Sequence, residues 1–106
     1  MTEVNILGTK YSYREDDLNN PDLAGADGIC ELFDKEIIVR KKEFMAGKTE
    51  QARNYRFKHV LRHELIHAFA QEAGVQYGED EALVDWIAAI IPRVNKAVAE
   101  VYKSEE

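Results

Sequence analysis

Residues 49–74 read TEQARNYRFKHVLRHELIHAFAQEAG, and this stretch predicts more of the structure than any other part of the chain. Thr49 is a typical N-cap residue, Glu50 suits the first helical turn, and Gly74 is a typical residue for ending a helix. We therefore expect a helix over residues 50–73. Apolar residues recur along it at the three- and four-residue spacing of a core-facing stripe: Phe57, Leu61, Leu65, Ala68 and Phe69.

Within this helix, His63-Glu64-Leu65-Ile66-His67 forms an H-E-x-x-H pattern. Side chains four residues apart lie one turn apart on the same helix face, so both imidazoles can point at one metal ion. Glu64 can reach a water molecule at that ion without binding the metal itself. The combination is typical of zinc-assisted peptide hydrolysis. The pattern also arises by chance, in roughly one of a hundred shuffled chains of this composition. The alternative to a metal site is therefore a surface helix with two unrelated histidines.

The composition is that of an ordinary globular domain and excludes several classes of protein. The chain has 106 residues, 45% hydrophobic and 32% charged, which predicts a single domain over residues 1–106. The net charge of −6 and the single basic cluster at residues 40–42 argue against a nucleic-acid partner. The longest apolar run, residues 86–91, is too short to span a membrane, and the N-terminus lacks a secretory layout. The one cysteine, Cys30, is expected to be a small buried strand residue and fits the reducing cytoplasm.

The residues before the first helix predict a three-stranded antiparallel sheet. Residues 4–13 alternate like one strand, with Gly8 as a bulge or bend. Residues 15–28 have the composition of a loop. Residues 29–33 and 36–42 then predict a hairpin with a tight connection.

A second helix is predicted over residues 79–103. Pro92 removes one backbone donor near its middle, which predicts a kink or a split near Ile91. Trp86 is expected in the core or at its rim. The fold class is therefore α+β, with the sheet covering one side of the helix pair. The apolar face of the second helix comprises Leu83, Ile87, Ile90, Ile91, Val94, Val98 and Val101.

A catalytic zinc site normally has three protein ligands and one open position, so two histidines do not complete it. His59 precedes His63 by four residues, but three such positions on one straight helix span ~12 Å and cannot converge on one ion. His59 is therefore expected to be structural or to support a ligand. If Glu81 is the third ligand, Asp85 can accept a hydrogen bond from the free ring nitrogen of a ligating histidine. The alternative ligands are Glu79, Asp80 and Asp85, and acids at a helix start can also simply stabilise its dipole.

The pair His63-Glu64-x-x-His67 and Glu81-x-x-x-Asp85 resembles the gluzincin arrangement, as in thermolysin, where the second helix supplies the third ligand and a supporting acid. Residues 58–90 are also similar to small phage and mobile-element zinc peptidases related to the ImmA/IrrE family. The resemblance implies a minimal zincin-like domain of phage or mobile-element origin, with Zn²⁺ held by the two histidines and Glu81. The chain lacks the additional segments of ImmA-type proteins, so their substrates, phage repressors, are not carried over.

These patterns together predict a zinc metallopeptidase that acts on a protein or peptide, with Glu64 as the general base. An extended substrate would pair with an exposed strand edge of the hairpin in residues 28–42. Tyr77, between the helices, is a candidate donor to the developing oxyanion. The alternative is a zinc-binding interaction module without turnover. A purely structural site has no use for a general base, so Glu64 favours the enzyme.

Overall fold

The computed structural model describes residues 2–17, 26–76 and 78–104. These residues form an α+β fold with two long helices, as the sequence predicts. In chain order the elements are β1 (Thr2–Ile6), β2 (Thr9–Asp16), β3 (Gly28–Glu31), β4 (Glu36–Arg40), a single 3-10 turn (Lys42–Phe44), α1 (Glu50–Ala73) and α2 (Glu81–Ser104).

The sheet differs from the predicted one in strand number and direction. Its order is β1-β2-β4-β3, and the central pair β2 and β4 is parallel, so the expectation of three antiparallel strands is wrong. The predicted single strand over residues 4–13 is a hairpin that reverses at Leu7 and Gly8, whose φ angles are 53° and 94°. The turn is stabilised locally because the backbone N–H of Gly8 donates to the Asn5 side chain at 2.7 Å. Leucine rarely adopts a left-handed conformation, which is why alternation alone did not indicate a turn.

The predicted hairpin in residues 28–42 is confirmed, with slightly different ends. β3 and β4 are antiparallel from Gly28 opposite Val39 to Glu31 opposite Glu36. β3 is the outermost strand on its side of the sheet, so one of its backbone edges has no strand neighbour among the described residues. Residues 18–25, in the middle of the predicted loop over residues 15–28, lie outside the described part of the chain.

Helix α1 has the boundaries that its capping residues predict. The Thr49 side chain accepts a hydrogen bond from the Ala52 backbone at 3.0 Å, and Gly74 ends the helix in a left-handed conformation. Most of the predicted apolar stripe packs on the sheet, but Phe69 is 43% exposed and does not belong to the core. The buried cluster consists of Ile6, Tyr11, Ile37, Val39, Met45 and Ala68, with Phe57, Val60, Leu61 and Leu65 packed against it.

A hydrogen-bonded group fixes the C-terminal part of α1 to the sheet. The Glu72 carboxylate accepts from Thr9 Oγ1 at 2.7 Å, from the Tyr11 hydroxyl at 2.7 Å and from Lys35 Nζ at 2.8 Å. These donors, the Lys35 ammonium first, lower the pKa of Glu72 to about 2. Burial and the hydrogen bond to Glu72 raise the pKa of Tyr11 well above its usual value. The strands that meet here are therefore held at a defined position along α1.

Helix α2 packs on α1 through its first half only. Val84 and Ala88 are buried, whereas Val94, Val98 and Val101 are each about half exposed. Pro92 lies inside a continuous helix, so of the two outcomes predicted near Ile91, a kink or a split, the split is excluded. Trp86 is 61% exposed, which contradicts the expectation that it packs in the core or at its rim. Neither helix in the described ranges is long and apolar enough to cross a membrane.

Candidate metal centre

The two helices bring three potential metal ligands into one cluster. His63 Nε2 lies 2.8 Å from one carboxylate oxygen of Glu81, and His67 Nε2 lies 3.0 Å from the other. The two Nε2 atoms are 3.2 Å apart. All three ligand atoms lie within 4.8 Å of one another, and we call this group the His-His-Glu cluster.

The cluster follows from antiparallel packing of α1 on α2. His63 and His67 are one turn apart on α1, and Glu81 is the first residue of α2. Moving one turn back on α1 and one turn forward on α2 leads to a second pair, His59 and Asp85, whose Nε2 and Oδ1 atoms are 2.7 Å apart. The contact between the helices is therefore a ladder of histidine and carboxylate pairs.

Residue 78 is a glycine for a steric reason, and its carbonyl fixes the tautomer of His67. A Cβ atom at Gly78 would lie 2.6 Å from the Cβ of Ala70, which is too close for any side chain. His67 Nδ1 donates to the Gly78 carbonyl at 2.7 Å, because a carbonyl can only accept. Neutral His67 then presents a lone pair at Nε2 to the cluster.

That lone pair argues for a cation in the cluster. It faces a Glu81 carboxylate oxygen at 3.0 Å, an arrangement that is repulsive unless a proton or a metal ion lies between the two atoms. A tetrahedral zinc with ligand bonds of ~2.1 Å holds its ligand atoms about 3.4 Å apart, close to the separations found here. Two imidazoles and one carboxylate are also a donor set that suits zinc. The residues therefore fit a divalent metal ion.

Asp85 connects His63 to His59. Its Oδ1 atom is 3.4 Å from His63 Nδ1, the ring nitrogen that faces away from the cluster. The hydrogen bond with His59 is shorter, and it is the main cause of the lowered pKa of Asp85. An ionised Asp85 would orient the ring of His63 and favour a free Nε2. His59 lies outside the ligand set, as the sequence predicts, but its partner Asp85 was not predicted. The signal was available in the spacing, because His59 precedes His63 by one helical turn and Asp85 follows Glu81 by one turn.

Glu64 is buried beside the cluster and has no hydrogen-bond donor among the described residues. Its side chain is only 7% exposed and lines a cavity of 380 Å³ together with His63, His67 and Glu81. Burial raises the pKa of Glu64, against the opposing effect of the two nearby histidines. A carboxylate that has lost much of its hydration, and that accepts no hydrogen bond from the described residues in exchange, binds a proton more readily than an exposed one.

Gly28 of β3 allows this strand to approach Glu64. A Cβ atom at residue 28 would lie 2.7 Å from Val60 Cγ1 and 3.1 Å from Glu64 Cγ. In the sequence, residue 28 is only the boundary between the predicted loop over residues 15–28 and the predicted hairpin in residues 28–42. Its importance depends on which helix residues pack against β3, and no local pattern contains that information.

The remaining candidate residues lie outside the His-His-Glu cluster. Glu79 lines the same cavity but is not part of the ligand group, and Asp80 caps α2 by accepting from the Leu83 backbone at 3.1 Å. Tyr77, the candidate oxyanion donor, lies outside the described residues. Cys30 is partly buried in β3, as expected for a strand residue. Burial and the nearby Glu64 raise the pKa of its thiol to about 12, so it stays protonated.

No protein-family model matches the chain, and neither a curated protein nor a solved structure matches it. The function must therefore be inferred from the residues of the site themselves.

Proposed function

We propose that the protein is a zinc-dependent peptidase in which Glu64 is the general base. The observation that supports this most strongly is the pairing of two features. The His-His-Glu cluster provides three ligands and leaves one side open to a cavity, and a buried carboxylate without a hydrogen-bond donor lines the same cavity. A structural metal site would be expected to close its coordination with a fourth protein ligand.

In this proposal His63, His67 and Glu81 hold the metal. The Gly78 carbonyl and Asp85 fix the ring orientations of the two histidines, so that both Nε2 atoms point into the cluster. When bound, zinc supplies a Lewis acid that acidifies water and polarises a carbonyl oxygen.

Glu64 performs the proton transfers. It accepts a proton from the attacking water as the C–O bond forms at the peptide carbonyl carbon. It then donates that proton to the amine nitrogen as the C–N bond breaks, so the carboxylate is restored at the end of the cycle. Its burial suits both steps, because a raised pKa brings the affinity for the proton closer to the working pH.

The position of β3 supports an extended peptide as the substrate. The cavity that Glu64 lines is also bounded by residues 28–32, which include the whole of β3. Because β3 has one edge without a strand neighbour among the described residues, a peptide can add to that edge through backbone hydrogen bonds. Such pairing would place the peptide backbone across the mouth of the cavity.

The test measures metal content and cleavage in parallel. Wild-type protein should bind close to one equivalent of zinc and cleave members of a peptide library. Glu64→Gln should bind zinc equally and cleave nothing, whereas Glu81→Ala should lose the metal, with Glu50→Ala as a control in the first turn of α1, away from the cluster. Zinc binding without cleavage by either the wild type or Glu64→Gln would indicate a zinc-binding interaction module. A protein that binds no zinc would exclude both functions.

A further inference from the structure

The cavities around the His-His-Glu cluster are acidic. Three of them, of 380, 210 and 150 Å³, adjoin one another along α1 through shared lining residues, and we call these three the cleft. A further cavity of 600 Å³, which adjoins the 210 Å³ cavity on the side away from Glu79, is lined by Arg56. Among the residues that the structure describes, none of the three is lined by a lysine or an arginine. Their linings include six acidic residues: Asp27, Glu31, Glu64, Glu79, Glu81 and Asp85.

Most of these carboxylates already have a partner or a role. Asp27 is paired with Arg40 and Arg56. Glu81 and Asp85 contact imidazoles, and Glu64 is the buried base described above. Within the described chain, Glu31 and Glu79 remain without a cationic partner.

Both residues line the 380 Å³ cavity, but only Glu79 also lines the 150 Å³ cavity next to it. Glu79 lies in the connection to α2 and lines both the 380 Å³ and the 150 Å³ cavities.

The 150 Å³ cavity has the properties of a pocket for one long basic side chain. Leu32 and Val75 provide the apolar part of its lining, and His67, Gln71, Gln76, Gly78 and Glu79 provide the polar part. Its volume equals that of about five water molecules, enough for a single extended side chain. Lysine and arginine combine an apolar stem with a terminal charge, which matches a mixed lining that contains one carboxylate.

We propose that the cleft selects peptides with a lysine or arginine beside the scissile bond, and that Glu79 binds the charge of that side chain. The inference rests on the proposed peptidase function and adds the class of substrate. A glutamate or aspartate at the same substrate position would meet the unpaired Glu79 and should be rejected.

The experiment compares cleavage profiles of the zinc-loaded wild type, Glu79→Gln and the control Glu50→Gln, in the first turn of α1 and outside the lining of all three cavities, on one peptide library. Wild-type cleavage sites should be enriched in lysine and arginine within one residue of the cut. For synthetic peptides that differ only in lysine or methionine at that position, Glu79→Gln should reduce the preference in kcat/KM by about tenfold, because a charge-assisted hydrogen bond is lost. Glu50→Gln should leave the preference unchanged, and all three proteins should hold equal zinc.

Binding gives a second readout that does not need turnover. Zinc-loaded Glu64→Gln should bind the lysine peptide more tightly than the methionine peptide, and adding Glu79→Gln should remove the difference. Glu64-dependent cleavage with no basic preference would overturn this inference and leave the peptidase function intact. A preference that survives Glu79→Gln would overturn the role of Glu79. If the zinc-loaded protein neither cleaves nor binds any peptide, the proposed function fails and the inference fails with it.

Discussion

Two glutamates on α1, Glu64 and Glu72, lie in opposite environments although they are only two turns of helix apart. Glu72 accepts hydrogen bonds from three side chains of the sheet hairpins, and these donors lower its pKa to about 2. Glu64 is more deeply buried, has no donor among the described residues, and has a raised pKa. The contrast teaches that the helix alone does not determine what a carboxylate does. A fully hydrogen-bonded carboxylate stabilises the fold, whereas a desolvated one without donors is free to take part in chemistry.

The sharpest test of this contrast exchanges each carboxylate for its amide. Glu64→Gln should lower kcat by about 10²–10⁴, the usual contribution of a general base, and should leave the metal-free protein at least as stable, because this carboxylate has a raised pKa and accepts no hydrogen bond from the described residues. Glu72→Gln should leave kcat within about twofold and lower the melting temperature. Peptide cleavage and thermal unfolding measure the two effects. Equal effects of both variants on activity would contradict the division of roles.

Adding a methyl group at Gly28 should disturb the environment of Glu64 from the strand side. The new Cβ of Gly28→Ala would meet Val60 and Glu64 within about 3 Å. We expect a stability loss of about 1–3 kcal/mol from overpacking and a fall in kcat, because the base is displaced.

Gly8→Ala is the matched control for Gly28→Ala. Gly8 has a φ of 94°, a backbone conformation that favours glycine, but no atom lies within 4 Å of the position that its Cβ would take. The Gly8→Ala protein should therefore lose stability through backbone strain and keep its kcat. Denaturant unfolding and steady-state kinetics separate the two variants; unchanged kcat in Gly28→Ala would show that the strand does not position Glu64.

Tyr11→Phe should weaken the Glu72 group without touching the metal cluster. The phenol is fully buried and donates to a carboxylate, so its removal should cost about 1.5–3 kcal/mol in the free energy of unfolding. Zinc content and peptide cleavage should not change. A double-mutant cycle with Glu72→Gln should show coupling between the two residues, and strictly additive losses would mean that the hydrogen bond contributes nothing.

The smallest expected effect is a pH dependence of stability that comes from Glu72. Its folded pKa of about 2 lies below the ordinary value of 4.5, so ionised Glu72 favours the folded state. The stabilisation is therefore complete above pH ~4.5 and is lost as the pH falls from 4.5 towards 2. The difference in unfolding free energy between the wild type and Glu72→Gln should be constant from pH 7 to 5 and shrink below that range. A difference that grows with acidification would show that ionised Glu72 does not favour the folded state.

The sequence predicts helix α1 well because every signal for it is local. Thr49 and Gly74 are typical capping residues and so indicate where the helix begins and ends. His63 and His67 are four residues apart and so lie on the same face of any α-helix. Glu81 could be proposed as a partner because a short connection leaves two helices few ways to pack. This part of the site therefore depends on spacing within about twenty residues.

The features that the sequence analysis missed depend on contacts between distant segments. The parallel pairing of β2 with β4 produces no recognisable pattern of apolar residues in the sequence. The first turn was missed because Leu7 occupies a backbone conformation that is more typical of glycine. Gly28 matters only through Val60 and Glu64, which β3 meets after the sheet has formed. Trp86 is exposed because its side of α2 faces away from both α1 and the sheet, and hydrophobicity alone does not give that direction.

The parallel ladder between β2 and β4 also has a consequence for how the chain folds. Both hairpins join neighbouring segments and can close within microseconds, whereas pairing Ser12 with Glu36 requires the closure of a much longer loop. We expect the two hairpins to behave as early kinetic units and their docking to be the slow step of refolding. Glu72 contacts Thr9 and Tyr11 on one hairpin and Lys35 on the other, so the same carboxylate that anchors the native helix should accelerate that docking.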